Sequence, residues 1–239
     1  MTIFTAVIAY LPEANQSLMD ETKKCIESTK QFTELGEVVA YHATEAVPPP
    51  GLCSSVHSAF AGVPIFEYRN GGLMDNWRQM LYMGFSKPEV DWVLMVCNDF
   101  FWKEGAASQL KEMLPKLSPM TYYLVKPTAI FLLNRKLYNA MSPMFMDYWP
   151  ASWEDADMAC QAWAVGGEVD FETMDSLGKH DSRATIRHLG GDYRSGTNNT
   201  NYGKNTALFE QRWEQTIPWP AEPSRTRINK WRLRHDSGR

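Results

Sequence analysis

The chain has 239 residues and a mass of 27.4 kDa, a length that suits one large α/β domain or two small ones. Its hydrophobic share of 44% is typical of globular proteins, and no apolar run approaches the ~18 residues that span a bilayer. The net charge of −4 disfavours a nucleic-acid-binding protein, and four cysteines without a Cys-x-x-Cys pair argue against a zinc ribbon or a disulfide framework.

The two ends of the chain bear on its location. The first ten residues lack the basic region and the cleavage site of a secretory signal, which predicts a cytoplasmic protein, in a bacterium or in a host cell. The last sixteen residues contain six Lys or Arg side chains and one Asp. Such a basic tail suits weak contact with an anionic membrane surface, although a solvated terminus is the commoner outcome.

The first half of the chain alternates strand-like and helix-like segments. Strands are predicted at 3–10, 38–41, 64–68 and 92–97. Helices are predicted from Leu18 to Leu35, ending at Gly36, then at 56–60 and from Leu73 onward. The run 92–97 shows no polar alternation, which is typical of a central parallel strand covered by helices on both faces.

The second half is mixed. Helices are predicted at 105–116 and 153–165, strands at 121–125, 128–133 and 169–174, and a polar segment at 190–205. Repeated βα units predict an α/β fold with a mixed, mostly parallel central sheet flanked by helices. In such sheets ligands bind outside the carboxyl ends of the strands.

The most buried predicted strand ends at Cys97-Asn98-Asp99. Asp91 is the only other acid close in sequence, but eight residues at ~3.3 Å each put it at the opposite end of the strand. A single carboxylate beside a diphosphate suits Mn²⁺ or Mg²⁺, which fill their other positions with water and phosphate. The alternative is that Asn98 and Asp99 form a turn, or cap the helix that starts near Gly105.

The stretch 92–110 resembles the strand, the Asp-x-Asp-type metal motif and the following helix of inverting family 2 glycosyltransferases with a GT-A (Rossmann-like) fold. Cys97 stands where the first metal-motif acid would be, so the resemblance leaves Asp99 to carry the ion from this loop. The resemblance implies a single GT-A domain, with a nucleotide-binding half at 1–100, an acceptor and catalytic half at 101–215 and a basic tail at 216–239.

Three acids crowd the start of the helix at 153–165, namely Glu154, Asp155 and Asp157. Ser152 is a good N-cap and Asp155 falls at the capping-box position, so helix capping accounts for these acids without any catalysis. The longer stretch from Ile130 resembles the same transferases in the order of Phe131 to Arg135, Phe145 to Asp147, Glu154 to Asp157 and Ala164 to Gly166. In these enzymes the Glu-Asp pair supplies the catalytic base, which by position is Asp155, with Glu154 second.

The resemblance also implies a histidine that completes the metal or diphosphate site after a later strand. His180 is the candidate, and His188 is a weaker one. The carboxyl ends of the first two strands and the turn that resembles the family's Asn-x-Gly supply the nucleotide contacts. The predicted nucleotide-binding residues are Ala9, Tyr10, Leu11, Thr44, Asn70, Gly72, Asn76, Arg78 and Asn98.

Nine tryptophans are many for this length, and Trp149 and Trp153 flank the predicted base. Aromatic rings pack on sugar rings, which predicts that these two contact the acceptor, although most tryptophans are core residues. The C-terminal aromatic segment resembles that of rhamnosyltransferase-like members of the family.

The predicted protein is a metal-dependent hexosyltransferase-type enzyme. It would move a sugar from a UDP-, GDP- or dTDP-sugar to a glycan or glycoprotein acceptor, with inversion. The alternatives are a sugar-phosphate nucleotidyltransferase and a non-catalytic carbohydrate-binding or nucleotide-binding module with a transferase-like fold.

Overall fold

A computed structural model describes residues 1–10, 16–44, 55–69, 71–125, 130–141, 154–180 and 198–213. The strands are β1 (Thr2–Tyr10), β2 (Val38–Thr44), β3 (Ile65–Arg69), β4 (Val90–Cys97), β5 (Phe100–Trp102), β6 (Thr121–Val125), β7 (Ile130–Asn134), β8 (Glu168–Asp170) and β9 (Gly178–His180). The α-helices are α1 (Gln16–Thr29), α2 (Leu73–Phe85), α3 (Ala106–Met113), α4 (Arg135–Met141), α5 (Glu154–Ala164) and α6 (Asn198–Trp213). Shorter 3-10 helices lie at Lys30–Glu34, Ser55–Phe60 and Leu114–Lys116.

Within these residues, seven strands form one sheet in the order β3-β2-β1-β4-β7-β6-β8, and β5 pairs with β9 in a separate two-stranded sheet. The pairs β3-β2, β2-β1, β1-β4 and β6-β8 are parallel, whereas β7 is antiparallel to both β4 and β6. Only β7 therefore runs against the other strands of the large sheet. The predicted α/β fold with a mixed, mostly parallel sheet is confirmed.

Alternating side chains of each central strand enter two apolar layers, one on each face of the sheet. On β1, Phe4, Ala6 and Ile8 enter the first layer, where they pack with residues of α2, α5 and α6. Ile3, Val7 and Ala9 enter the second layer with residues of α1 and α3. Because both faces are covered, β1 and β4 are apolar along nearly their whole length, as the sequence predicts for β4.

Several segments differ from the sequence prediction. The predicted helix up to Leu35 ends as an α-helix at Thr29 and continues as 3-10 turns, and the predicted strand 169–174 stops at Asp170. Asp170 ends that strand because its Oδ1 accepts hydrogen bonds from the backbone N–H groups of Glu172 and Thr173, both at 2.8 Å. The polar segment 190–205 overlaps the start of α6, which was not predicted.

In the described part of the chain, none of the helices combines the length and the apolar character that crossing a bilayer requires.

Candidate functional site

The order of the strands defines where a ligand can enter. The connection from β1 to β2 carries α1 on the second layer, whereas the connection from β3 to β4 carries α2 on the first layer. The chain thus leaves opposite faces of the sheet on either side of the β1-β4 pair. A crevice forms at such a switch point, outside the carboxyl ends of the two strands. Ala9 and Tyr10 end β1 there, and Asn98 and Asp99 follow β4.

Asp99 is held beside the end of β4 by a thiol. It is only 7% exposed, and its Oδ1 accepts a hydrogen bond from the Cys97 Sγ at 2.7 Å. Burial, followed by the negative charge of Asp99, raises the pKa of Cys97 well above its usual range. The thiol is therefore neutral at physiological pH and acts as a donor to the carboxylate.

The loop after β4 is also fixed to α1. The Asn98 Nδ2 donates to the Thr22 Oγ1 at 2.8 Å, and the Cys25 Sγ lies 3.4 Å from the carbonyl oxygen of Cys97. The N-cap of α3 is Gly105, so the alternative in which Asn98 or Asp99 caps that helix is wrong. Residues 98 and 99 form the turn between β4 and β5, a position from which side chains can also contact a ligand.

His180 is brought next to this loop by the small sheet. In the antiparallel pair of β5 and β9, Phe100 lies opposite His180. Directly opposed residues of an antiparallel pair have Cα atoms ~4.5–5.5 Å apart, and Phe100 directly follows Asp99. Two residues that are 81 positions apart in the sequence therefore share one end of the sheet.

The side chains at this end of the sheet limit the kind of metal site that could form there. Among the described residues, no group of three or more His, Cys, Asp or Glu side chains is arranged to hold a metal. Mn²⁺ and Mg²⁺ at a diphosphate need only one or two protein oxygens, since phosphate and water complete the octahedron. The single carboxylate of Asp99 fits that requirement and would not suffice for a closed, all-protein metal site.

The acidic first turn of α5 lies at the same edge of the sheet. A short turn at 165–167 joins the end of α5 to the start of β8, so the helix runs back along the sheet and begins near the carboxyl ends of the strands. The backbone N–H of Gly167 closes this turn by donating to the carbonyl oxygen of Ala162 at 2.8 Å. Glu154 and Asp155 are thereby carried to the edge that holds Asp99.

The three acids of this turn have different surroundings. Glu154 is 3% exposed and Asp157 is fully buried, whereas Asp155 is partly exposed. Burial raises the pKa of Asp155 above its usual 3.8, against the hydrogen bonds that its carboxylate accepts from the backbone N–H groups of Ala156 and of Asp155 itself. The negative charge of Asp155 also contributes, after burial, to raising the pKa of Tyr122. A carboxylate with a raised pKa is a better proton acceptor than an ordinary one.

The carboxylate of Asp157 is hydrogen-bonded to other buried side chains. It accepts hydrogen bonds from the Gln161 Nε2, the Arg212 Nη1 and the Trp213 Nε1, at 2.9, 2.9 and 2.7 Å. Sequence analysis did not identify Arg212 or Trp213 as residues that support the site.

The other predicted nucleotide-binding residues occupy the ends of β1 and β2 and the start of α2. Ala9 and Thr44 are buried, and the Thr44 Oγ1 has no hydrogen-bond partner among the described residues. Asn76 is also buried, with its Oδ1 unpartnered in the described part of the chain. Arg78 is exposed and pairs with Asp75, which lies three positions after the N-cap Gly72.

Several predicted residues lie outside the described residues. These are Leu11, Asn70, Trp149 and Trp153. Tyr10 and His180 lie in described strands, but only their backbone positions are known.

One cluster near the same edge was missed by the sequence analysis. The Glu67 Oε1 on β3 lies 3.0 Å from the His42 Nδ1 on β2 and 3.0 Å from the His57 Nε2. Burial alone would raise the pKa of Glu67, but hydrogen bonds and charge from the two histidines outweigh it and lower the pKa below 4.5. Residues on separate strands carry no local signal of such contact, although His42 and Glu67 are partners in the β2-β3 register.

Comparison with solved structures gives the same fold over most of the chain. A protein of Desulfovibrio desulfuricans G20, provisionally described as a nucleotide-diphospho-sugar transferase, aligns over 88% of this chain and 98% of its own, with a TM-score of 0.50 and 10% identity. The 1–349 segment of S. aureus TarS aligns over 99% of this chain and 72% of its own, with a TM-score of 0.58 and 12% identity.

A longer TarS structure aligns over 90% of this chain and 44% of its own, with a TM-score of 0.51 and 10% identity. No protein-family model matches the chain, and no curated protein matches its sequence. With the strand order described above, these matches show that the chain has the GT-A-like α/β fold of nucleotide-diphospho-sugar transferases.

Proposed function

We propose that the protein is a metal-dependent, inverting glycosyltransferase that moves a sugar from a nucleoside-diphosphate sugar to a hydroxyl of a glycan or glycoconjugate. The proposal is supported by the position of two carboxylates at the carboxyl edge of the sheet, Asp99 in the turn after β4 and Asp155 in the first turn of α5. The finer assignment to rhamnosyltransferase-like family 2 enzymes rests on the motifs around Asp99 and Glu154.

In this proposal the donor binds across the crevice. Thr44, Asn76 and Arg78 contact the nucleotide together with Tyr10 and the Asn98 backbone, and Asp99 with His180 faces the diphosphate. When bound there, Mn²⁺ or Mg²⁺ would neutralise charge on the departing nucleoside diphosphate. The buried polar atoms of Thr44 and Asn76 support this role, because buried polar groups normally have a hydrogen-bond partner.

Asp155 is the proposed base, in preference to Glu154. Asp155 is partly exposed and has a raised pKa, whereas Glu154 is almost fully buried. The acceptor oxygen forms its bond to the anomeric carbon as the bond to the diphosphate oxygen breaks. Asp155 accepts the acceptor's proton in the same step. Trp149 and Trp153 are the proposed acceptor contacts.

The test is a panel of UDP-, GDP- and dTDP-sugars incubated with Mn²⁺, with donor turnover followed in the wild type and two variants. Asp155→Asn is expected to lose ~10²–10⁴-fold in kcat with donor binding retained, as is typical for loss of a positioned acid or base. Asp99→Asn is expected to lose metal-dependent donor binding.

Asp91→Asn is the matched control. Asp91 lies at the amino end of β4, where its Oδ2 accepts a hydrogen bond from the Thr2 backbone N–H at 3.0 Å. The Asp91→Asn variant should therefore leave turnover unchanged. Donor binding without turnover, unaffected by Asp155→Asn, would indicate a binding module. Release of pyrophosphate from a nucleoside triphosphate and a sugar phosphate would indicate a nucleotidyltransferase.

A further inference from the structure

The C-terminal helix is fastened to the acidic turn by a buried ion pair. Asp157 is fully buried, and its two oxygens accept hydrogen bonds from Arg212 on one side and Trp213 on the other. The Arg212 guanidinium also lies over the Trp213 ring, 5.2 Å from the centroid. Asp157, Arg212 and Trp213 are called the Asp157 anchor below.

The anchor constrains how α5 is rotated about its own axis, together with the buried apolar side chains of the helix. At about 100° per residue, Glu154 lies about 60° from Asp157 around the helix and Asp155 about 160° from it. Holding Asp157 towards α6 therefore buries Glu154 and turns Asp155 to the opposite side. This matches the observed exposure of the three acids.

A small rotation of α5 about its axis would move the carboxylate of Asp155 appreciably. A carboxylate about 5 Å from the helix axis moves about 2 Å when the helix rotates by 20°. Misplacement of a reacting group by ~1 Å can cost ~10²-fold in rate. The geometry of the first turn thus depends on contacts that come from 55 and 56 residues further along the chain.

The anchor is also more directional than apolar packing would be. The Trp213 Nε1 donates to Oδ1, while the Arg212 Nη1 and the Gln161 Nε2 donate to Oδ2, so each oxygen of Asp157 has a defined partner. Well-packed apolar residues often stabilise a core as well as or better than a buried ion pair. Directional contacts fix one orientation of the carboxylate, which apolar packing does not do.

We infer that Arg212 and Trp213 are positioning residues that hold the first turn of α5 through Asp157, and so set the orientation of Asp155. The inference about catalysis rests on the proposed function, whereas the inference about the helix turn does not. Both residues would act on Asp155 through Asp157.

Trp213→Phe is the central variant, because it keeps an aromatic ring and removes the N–H donor, together with the second ring of a fully buried indole. It should lower kcat at least ~10-fold and leave the KM for the donor within ~2-fold. Arg212→Lys should retain more of kcat than Arg212→Met, since lysine keeps the charge but loses the planar geometry. The matched control is Phe209→Leu, which trims a buried residue of the same helix and keeps both donors to Asp157.

Amide hydrogen exchange supplies a readout that does not need activity. The amides of 158–160 close the first turn of α5, and in Trp213→Phe they should exchange faster relative to those of 162–164. Phe209→Leu, compared at equal loss of Tm, should leave that ratio and kcat close to the wild type.

Failure of the proposed function and failure of the positioning inference would give different results. If the wild type turns over no donor while the exchange ratio changes as expected, the proposed function fails and the anchoring of the turn stands. If the wild type is active and Trp213→Phe behaves like Phe209→Leu in both kcat and exchange, the inference is overturned and the function stands. A first turn that loosens without loss of kcat also overturns the positioning role.

Discussion

At the scale of single residues, the proposed base Asp155 is expected to lower the stability of the folded protein at neutral pH. Its pKa is raised in the folded protein, so above pH 3.8 the folded state binds more protons than the unfolded state. Stability therefore falls as pH rises through the folded pKa, and at neutral pH the whole penalty is present. Asp155→Asn removes the ionisable group, and we expect it to raise Tm at neutral pH while it lowers kcat.

The pH dependence of that gain identifies its cause. Thermal unfolding of both proteins should show the largest difference at neutral pH and almost none below about pH 3.8, where the aspartic acid is protonated in both states. A gain in Tm of equal size at all pH values, or a loss of Tm at neutral pH, would show that burial of the charged carboxylate does not cause the difference in stability.

Glu67 should behave in the opposite way. Because the histidines hold its folded pKa below 4.5, its ionised form stabilises the protein above that pH, and the stability is lost as pH falls through the folded pKa. We expect Glu67→Gln to be less stable than the wild type at about pH 6 and to approach it at about pH 3. Urea denaturation at both values measures the difference, and a gap that stays constant would contradict the assignment.

At the scale of secondary structure, the elements with a strong local sequence pattern could be predicted, and those without one could not. β4 and α2 were predicted because apolar runs and helical spacing are local signals. β5 has only three residues, and its partner β9 starts 78 positions after β5 does, so its pairing leaves no local pattern. α6 opens with Asn198, Asn199 and Thr200, which are poor helix formers, and tertiary packing of Phe209 and Trp213 overrides that weak propensity.

The connection from α1 to β2 depends on one glycine. Gly36 has a φ of +154°, and a Cβ added there would overlap the carbonyl oxygen of Ile3 on the backbone of β1. The same stretch holds the start of β1, since Ile3 donates to the Leu35 carbonyl at 2.9 Å and Thr5 to that of Glu37 at 2.8 Å. Gly36→Ala should therefore displace the loop from the central strand.

We expect Gly36→Ala to cost more than ~2 kcal/mol of unfolding free energy. Gly62→Ala is the matched control, because Gly62 also has a positive φ, of 81°, but an added Cβ meets nothing within 4 Å. The control should cost only the ~1–2 kcal/mol of the left-handed backbone. Chemical denaturation of both variants measures the comparison, and equal costs would mean that contact with Ile3 is unimportant.

At the scale of the whole molecule, the sequence indicated individual residues of the candidate site, but not the long-range contacts that hold them in place. Asp99 follows from its position after the most buried strand, and the acids at the start of α5 from their spacing. The carboxyl edge that brings them together follows from the strand order, which a single sequence does not contain. The contact of Asp157 with Arg212 and Trp213 joins residues more than 50 positions apart and leaves no periodic signal.

Cys97 contacts Asp99 at the end of β4, and its replacement by an acid would change both metal binding and the stability of the fold. A ligand that binds only the folded state at 100 times its Kd adds about 2.7 kcal/mol, which for a domain of this size is a rise in Tm of roughly 5–10 °C. Cys97→Asp should lower Tm without metal, because it replaces the thiol donor to Asp99 by a second carboxylate.

With Mn²⁺ and a nucleoside diphosphate, the same variant should show a larger rise in Tm than the wild type, since two carboxylates then face the ion. Cys97→Ser is the control, because it keeps a neutral donor beside Asp99 and should respond like the wild type. Differential scanning fluorimetry with and without EDTA measures both variants. If Cys97→Asp responds to metal no more than Cys97→Ser does, the ion does not bind at the end of β4, and the proposed diphosphate site must lie elsewhere on the sheet edge.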